Sequence, residues 1–259
     1  PNLPPWIVKA VGGTTTHWSG ATPRFKEHEF KARSTYGRVE GANLLDWPIT
    51  KEDLDPYYER AEIAMGSTHT HGRKPLPANN NYKVFANGAE RIGYKHYATG
   101  PYATNAEEYD GRPASIQDGF NFQGDKNKSK WSTLVREIPR AEDTGLLDLR
   151  SDCQVVQITH DASGRADSVL YLDDEGNLHR QAAKLVAVAG NSIETPRLLL
   201  MSATAMFPDG LANSSGQVGR NYMRHTTGSV FSRFDKPVRM YRGETMAGVI
   251  ADESIHNPD

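Results

Sequence analysis

The sequence predicts a mixed α/β chain containing helices and an antiparallel sheet, on three observations. Residues 46–67, "DWPITKEDLDPYYERAEIAMGS", place Leu54, Tyr58, Ala61 and Met65 at helical spacing on one face. Residues 153–190, "CQVVQITHDASGRADSVLYLDDEGNLHRQAAKLVAVAG", alternate apolar runs with Asp-Ala-Ser-Gly and Asp-Glu-Gly turns, the pattern of a three-stranded meander. The last run, Leu185 to Ala189, is apolar on both faces like a buried parallel strand, and it passes through Gly190 into the helical "NSIETPRLLLMSA".

Taken in order, residues 1–50 are rich in Gly, Thr and aromatics with little periodicity, which reads as loop wrapped around something. The first clear helix is capped by Asp55, carries Pro56 in its first turn, and ends at Gly66 with its apolar face in the core. Between His69 and Lys130 the turn-rich "PLPANNN", "YDGRP" and "QGDKNKSK" predict loops, a short helix from Asn81 to Ile92, and a lid. A helix follows at Trp131 to Ala141, striped by Trp131, Leu134, Val135 and Ile138, and then a short strand at "LLDLR". After the meander and its helix, residues 219–253 alternate like sheet strands and stop without a closing helix.

Composition excludes several partners. At 259 residues the chain can bury a substantial core in one large domain or two interleaved ones. A net charge of -2 gives no basic field for nucleic acid or acidic lipid. Cys153 is the single cysteine, so no disulfide or cysteine metal cluster forms within the chain, and the compartment, bacterial cytoplasm or periplasm, stays open. No apolar run approaches the roughly 20 residues of a membrane span, and no basic-then-apolar leader precedes Pro1. The chain lacks a starting Met, which leaves a targeting segment removed or simply not included.

Chemistry concentrates in "VGGTTTHWSGATPRF", Val11 to Phe25. Gly12 and Gly13 let a backbone approach a pyrophosphate, with Thr14, Thr15 and Thr16 offering hydroxyls and amides; the plain alternative is a glycine turn before a β-prone Thr run. His17 beside Trp18 sets a nucleophilic imidazole against a flat side chain, or is a hydrogen-bonded structural histidine. Gly190 turning into a helix start is where open α/β sheets place ligands. His69 and His71 read as a surface loop, with no metal site expected, and "KNKSK" as a solvated one. His225 approaches a ligand pocket or is a buried structural residue.

Together "GGTTTHWSGATPRF", "DWPITKEDLDPYYERAE", "AGNSIETPRLLLMSA" and "GRNYMRH" resemble, in order, the glucose-methanol-choline family of flavoprotein oxidoreductases, nearest its bacterial sugar dehydrogenase branch and pyranose oxidase. The resemblance implies part of an FAD-binding Rossmann-like domain interleaved with an antiparallel-sheet substrate domain. It assigns Gly12, Gly13, Thr14 and Thr15 to the phosphates, and Thr16, His17, Trp18, Ser19 and Gly20 to the isoalloxazine side. It makes His17 the residue that bonds the flavin methyl covalently, puts Gly190 and Asn191 near the cofactor, and gives the Val155 backbone to the adenine. It divides the chain into an FAD-domain loop segment (1–50), a helix and lid on the substrate side (51–130), an FAD-binding part (131–205) and the start of a substrate-binding domain (206–259).

The family also has an opening strand with a GxGxxG helix, and a closing histidine paired with His or Asn as catalytic base. Neither pattern occurs here: no GxGxxG is present, and after His225 the one histidine is His256 in "SIHNPD". The expectation is therefore the middle of a longer protein, without its catalytic pair and inactive alone. An incomplete parallel sheet would also leave apolar edges unpaired. The implied reaction is hydride transfer from the CH–OH group of a sugar or related alcohol to FAD, with dehydrogenase favoured over oxidase. A small subunit and a cytochrome electron acceptor are the implied partners. The alternative is a non-catalytic remnant serving as a binding module; a simple NAD-linked dehydrogenase is disfavoured without a dinucleotide fingerprint.

Overall fold

A computed structural model describes residues 7–119, 121–225, 227–244 and 248–253. The chain divides into two units, Pro1–Leu147 with Arg233–Asp259, and Asp148–Ser232. The architecture is a mixture of helix and antiparallel sheet, as the sequence predicts.

The first unit begins as loop, with a 3-10 turn at Gly13–Thr16 and two short helices, α1 (Glu27–Phe30) and α2 (Ala32–Tyr36). Helix α3 (Lys51–Met65) starts one turn earlier than Asp55. Thr50 caps it, accepting from the Asp53 N–H at 3.2 Å while the Asp53 carboxylate accepts from the Thr50 N–H at 2.8 Å. This reciprocal pair satisfies two groups that helix ends otherwise leave open, and it outweighs the start signal of Pro56. Gly66, at φ 74°, ends the helix. The expected apolar face is not a core face: Ala61 is exposed and the buried residue is Glu62. Its carboxylate is taken by Arg24 through two bonds of 2.7 Å and by His71 at 3.0 Å. The ion pairs tie the helix to the opening loop where an apolar stripe was expected.

Helix α4 (Asn80–Arg91) forms close to its predicted span, capped by Asn79. Strand β1 (Tyr97–Ala98) follows, and beyond it the chain forms isolated bridges, Ala21 with Tyr102 and Thr104 with Lys130. The helix expected from Trp131 begins only at Glu137, as α5 (Glu137–Asp143). Pro139 then falls in its first turn, where the missing N–H costs nothing, whereas a start at Trp131 would set the proline ring against an interior carbonyl. The core of this unit is small and largely polar: Tyr102, Ala103 and Phe30 are buried beside Thr68, Thr104, Asn105 and Ser129.

In the second unit, β2 (Gln154–His160), β3 (Ala166–Leu172) and β4 (Leu178–Ala182) make the antiparallel meander in the order β2-β3-β4. Helix α6 (Asn191–Met201) packs against it. The Ser202 hydroxyl at its end accepts from the Ile158 N–H at 2.9 Å, beside the bulge between Val155 and Gln157.

Several predicted strands are absent among the described residues. Leu146–Arg150 and Leu185–Ala189 are unpaired, with Leu146 89% and Leu185 84% exposed. An apolar strand needs neighbours for its amides and carbonyls, and none of the described strands pairs with either segment. Residues 219–244 also lack strands where described. Of the stretch 219–253 expected to hold strands, only β5 (Val249–Ile250) forms among the described residues; it belongs to the first unit, where it pairs antiparallel with β1. Asp252 secures this return, accepting from the N–H groups of Lys95 and His96 at 2.7 and 2.9 Å.

Candidate functional site

The opening motif is a loop closed on itself and fastened by a second stretch of chain, Asn121 to Thr133. Thr15 and Thr16 turn their hydroxyls back onto the carbonyls of Gly12 (2.6 Å) and Gly13 (2.9 Å). Thr133 donates to the same Gly12 carbonyl at 2.9 Å, and its N–H reaches the Thr15 hydroxyl at 3.2 Å. The threonine run is therefore a turn, with only Thr14 exposed. Gly12 and Gly13 differ. At φ 94° a Cβ on Gly12 would stand 2.7 Å from the Leu134 Cβ, whereas one on Gly13 would meet nothing within 4 Å.

Trp18 donates its indole N–H to the Trp131 carbonyl at 2.9 Å, and the two rings meet edge to face at 5.7 Å. Ser19 accepts from the Ala21 N–H at 3.4 Å, and the Gly20 carbonyl accepts from the Ala103 N–H at 2.7 Å. The His17 Nδ1 lies 2.7 Å from the Phe122 carbonyl. A carbonyl only accepts, so Nδ1 carries the proton, and in the neutral ring Nε2 holds a lone pair.

Sequence reasoning missed Lys130. It is not solvated: it is 2% exposed, with its ammonium on the carbonyls of Thr16, Trp18 and Asn121. Burial pushes its pKa down from the ordinary lysine value, and Asp125 and Glu244 oppose that only at longer range. A charge-rich run gives no hint which of its lysines turns inward. An open cleft of about 460 Å³ is bounded by Thr16, Gln123, Lys130, Ser132 and Leu134.

Three further predicted residues lie in the second unit. Val155 is 41% exposed and pairs across the sheet with Tyr171. Gly190 is the residue before α6. Asn191, at φ 70°, turns its amide oxygen onto the N–H groups of Ile193 (2.8 Å) and Glu194 (3.2 Å), so its own side chain takes up amides of the first turn. His225 is exposed, and His256 lies outside the described residues. Among the described residues no cluster of three His, Cys, Asp or Glu could hold a metal, and no helix is long and apolar enough to cross a membrane.

The arrangement suits a large ligand with phosphates and a flat ring. It has an open face over Gly13, an exposed Thr14, a bare imidazole nitrogen, and a buried Trp131 indole N–H without a partner among the described residues. Backbone amides exposed in a glycine turn of this kind are able to take up phosphate oxygens.

Residues 6–227 match the GMC oxidoreductase family, and the chain belongs to it. It is 34% identical over 266 aligned residues to a 2-methyl-1,2-propanediol dehydrogenase of Mycolicibacterium austroafricanum, covering 97% of this chain and 47% of that protein. It is 31% identical to the fructose dehydrogenase large subunit of Gluconobacter japonicus, covering 85% and 41%, and 31% identical to a 6'''-hydroxyparomomycin C oxidase of Streptomyces lividus, covering 83% and 41%. The chain thus spans less than half the length of these relatives. Members of the family generally bind FAD, and the open face over Gly13 beside the exposed Thr14 leaves room for its phosphates.

Proposed function

We propose that this chain forms part of an FAD-dependent enzyme that oxidises the CH–OH group of a sugar or related alcohol. In this reading Gly12, Gly13, Thr14 and Thr15 run along the pyrophosphate, and Thr16 to Gly20 along the flavin edge. Val155, Gly190 and Asn191 are the further cofactor contacts. The observation that carries it is the state of His17, whose ring proton is held by the Phe122 carbonyl so that Nε2 is left as a nucleophile.

His17 is accordingly the proposed attachment point for the flavin methyl carbon. With FAD bound, His17 would hold it through Nε2; that bond would need the loss of one methyl proton and the imidazole proton, and the removal of two electrons by the enzyme's acceptor, a quinone or a cytochrome. When bound, FAD would supply the redox chemistry by taking the carbinol hydride while the hydroxyl proton leaves to a base. No residue of this chain is assigned as that base. The named dehydrogenases among the relatives favour a dehydrogenase, and the "large subunit" in one name favours a small subunit as partner; the acceptor in this reading is a quinone or a cytochrome.

An intact-mass and visible absorption measurement on denatured, flavin-loaded protein tests this. Flavin absorption that stays with the chain, and an added mass on the peptide holding His17, is the expected result. FAD released intact would remove the covalent link, and protein that takes up no flavin at all would overturn the reading.

A further inference from the structure

The buried lysine beside His17 carries an inference that rests on the reading above and deepens it. The Lys130 Nζ donates to the carbonyls of Trp18 at 2.7 Å and Thr16 at 3.4 Å, and to that of Asn121. These contacts engage all three hydrogens of the ammonium. Two of the carbonyls belong to the residues immediately before and after His17. The third belongs to the residue before Phe122, whose own carbonyl takes the His17 ring proton. The ammonium therefore ties together the two peptide segments that meet at the imidazole.

Asp125 holds the lysine from its backbone side. Its Oδ2 accepts from the Lys130 N–H at 2.6 Å and from the Ser129 hydroxyl at 3.0 Å. It acts on the ammonium only at longer range, as does Glu244. A buried charge without a bonded carboxylate is costly, and an apolar side chain of the same length would avoid that cost only by leaving the three carbonyls without a donor. The charge does have one local use: three carbonyl dipoles converge on a single point, and only a group with three donors satisfies them together.

We propose that Lys130 is a positioning residue that, by clamping the carbonyls of Thr16, Trp18 and Asn121, fixes the His17 imidazole as its Nδ1–H tautomer with Nε2 presented as the free nitrogen. A lysine that only stabilised the loop would leave the tautomer indifferent to its removal.

The test uses protein labelled with ¹⁵N at histidine, with H17A to assign the His17 signals. The wild-type protein, as a single sharp Nδ1–H tautomer, is the expected result, with Lys130→Met giving a mixture of tautomers and Lys130→Arg an intermediate spectrum. An Nε2–H tautomer in the wild type overturns the inference without need of any variant, as does a folded Lys130→Met protein whose His17 signals are unchanged. Flavin retained after denaturation is the second readout. Attachment is expected to slow about tenfold or more in Lys130→Met, the usual scale for a reacting group let loose by a fraction of an ångström. Lys83→Met, an exposed lysine on α4, should leave it unchanged. If H17A still holds flavin covalently, the attachment reading fails while the tautomer result still decides the role of Lys130. If H17A releases flavin and Lys130→Met attaches it at the wild-type rate, the inference fails and the reading stands.

Discussion

Gly12 and Gly13 are neighbours that should respond differently to one methyl group. Gly12→Ala combines a left-handed backbone with a contact of 2.7 Å to Leu134 and is expected to cost about 2–4 kcal/mol. Gly13→Ala meets open space and should cost about 1 kcal/mol from backbone conformation alone. Urea unfolding of the two variants checks the order, and equal losses would mean that the Leu134 contact is unimportant. Glu62 gives a second residue-scale prediction. The Arg24 guanidinium holds its carboxyl below the ordinary glutamate value, opposed by burial and helped by His71. A depressed carboxylate stabilises the fold above its unfolded pKa and loses that contribution as pH falls through the folded one. Glu62→Gln should therefore lose about 2 kcal/mol at neutral pH and show a flatter decline below about pH 4.5 than the wild type, read by melting temperature against pH. At this scale the sequence revealed the motif but not its fastening. His17 and Trp18 stood out by type, whereas Lys130 is chemically identical to the lysines around it, and only the distant carbonyls it meets make it different.

Elements were legible where their stabilising contacts are local. Helices α4 and α6 and the turns of the meander are specified by residues within a few positions, and each forms close to its predicted span. The start of α3 was misread although its signal was present as Thr50 and Asp53, three residues apart. Thr50→Ala should destabilise the first unit by about 1 kcal/mol, measurable as a shift in the urea midpoint. The lost strands, Leu185–Ala189 above all, show the converse. Their apolar pattern states a preference, but pairing is supplied by other chain, and no described strand supplies it. The bulge in β2 likewise depends on a remote group, because Ser202 accepts the Ile158 amide hydrogen. Ser202→Ala would leave that N–H buried and unmet, for a loss of about 1–2 kcal/mol, with faster hydrogen exchange at Ile158 as its local signature.

At the scale of the whole chain, the first unit is assembled from two separated pieces. Glu244 anchors the second piece: its carboxyl accepts from Ser115, and its backbone carbonyl accepts from the Asn79 side chain at 2.9 Å. Burial raises its pKa above the ordinary glutamate value, so the neutral form is favoured in the fold and stability falls as pH rises through the folded pKa. Glu244→Gln keeps an acceptor for Ser115 without the charge, and its melting temperature at neutral pH should equal or exceed that of the wild type. A lower value would show that the ionised carboxylate itself is needed. The pairing of Tyr97–Ala98 with Val249–Ile250 has a further consequence, for the time at which the protein becomes itself on the ribosome. The meander closes with neighbours a few residues away, so it can settle as it emerges. The earlier-made strand β1 must wait for some 150 residues of synthesis before β5 arrives, on the order of ten to thirty seconds, with the edge that β5 covers open until then.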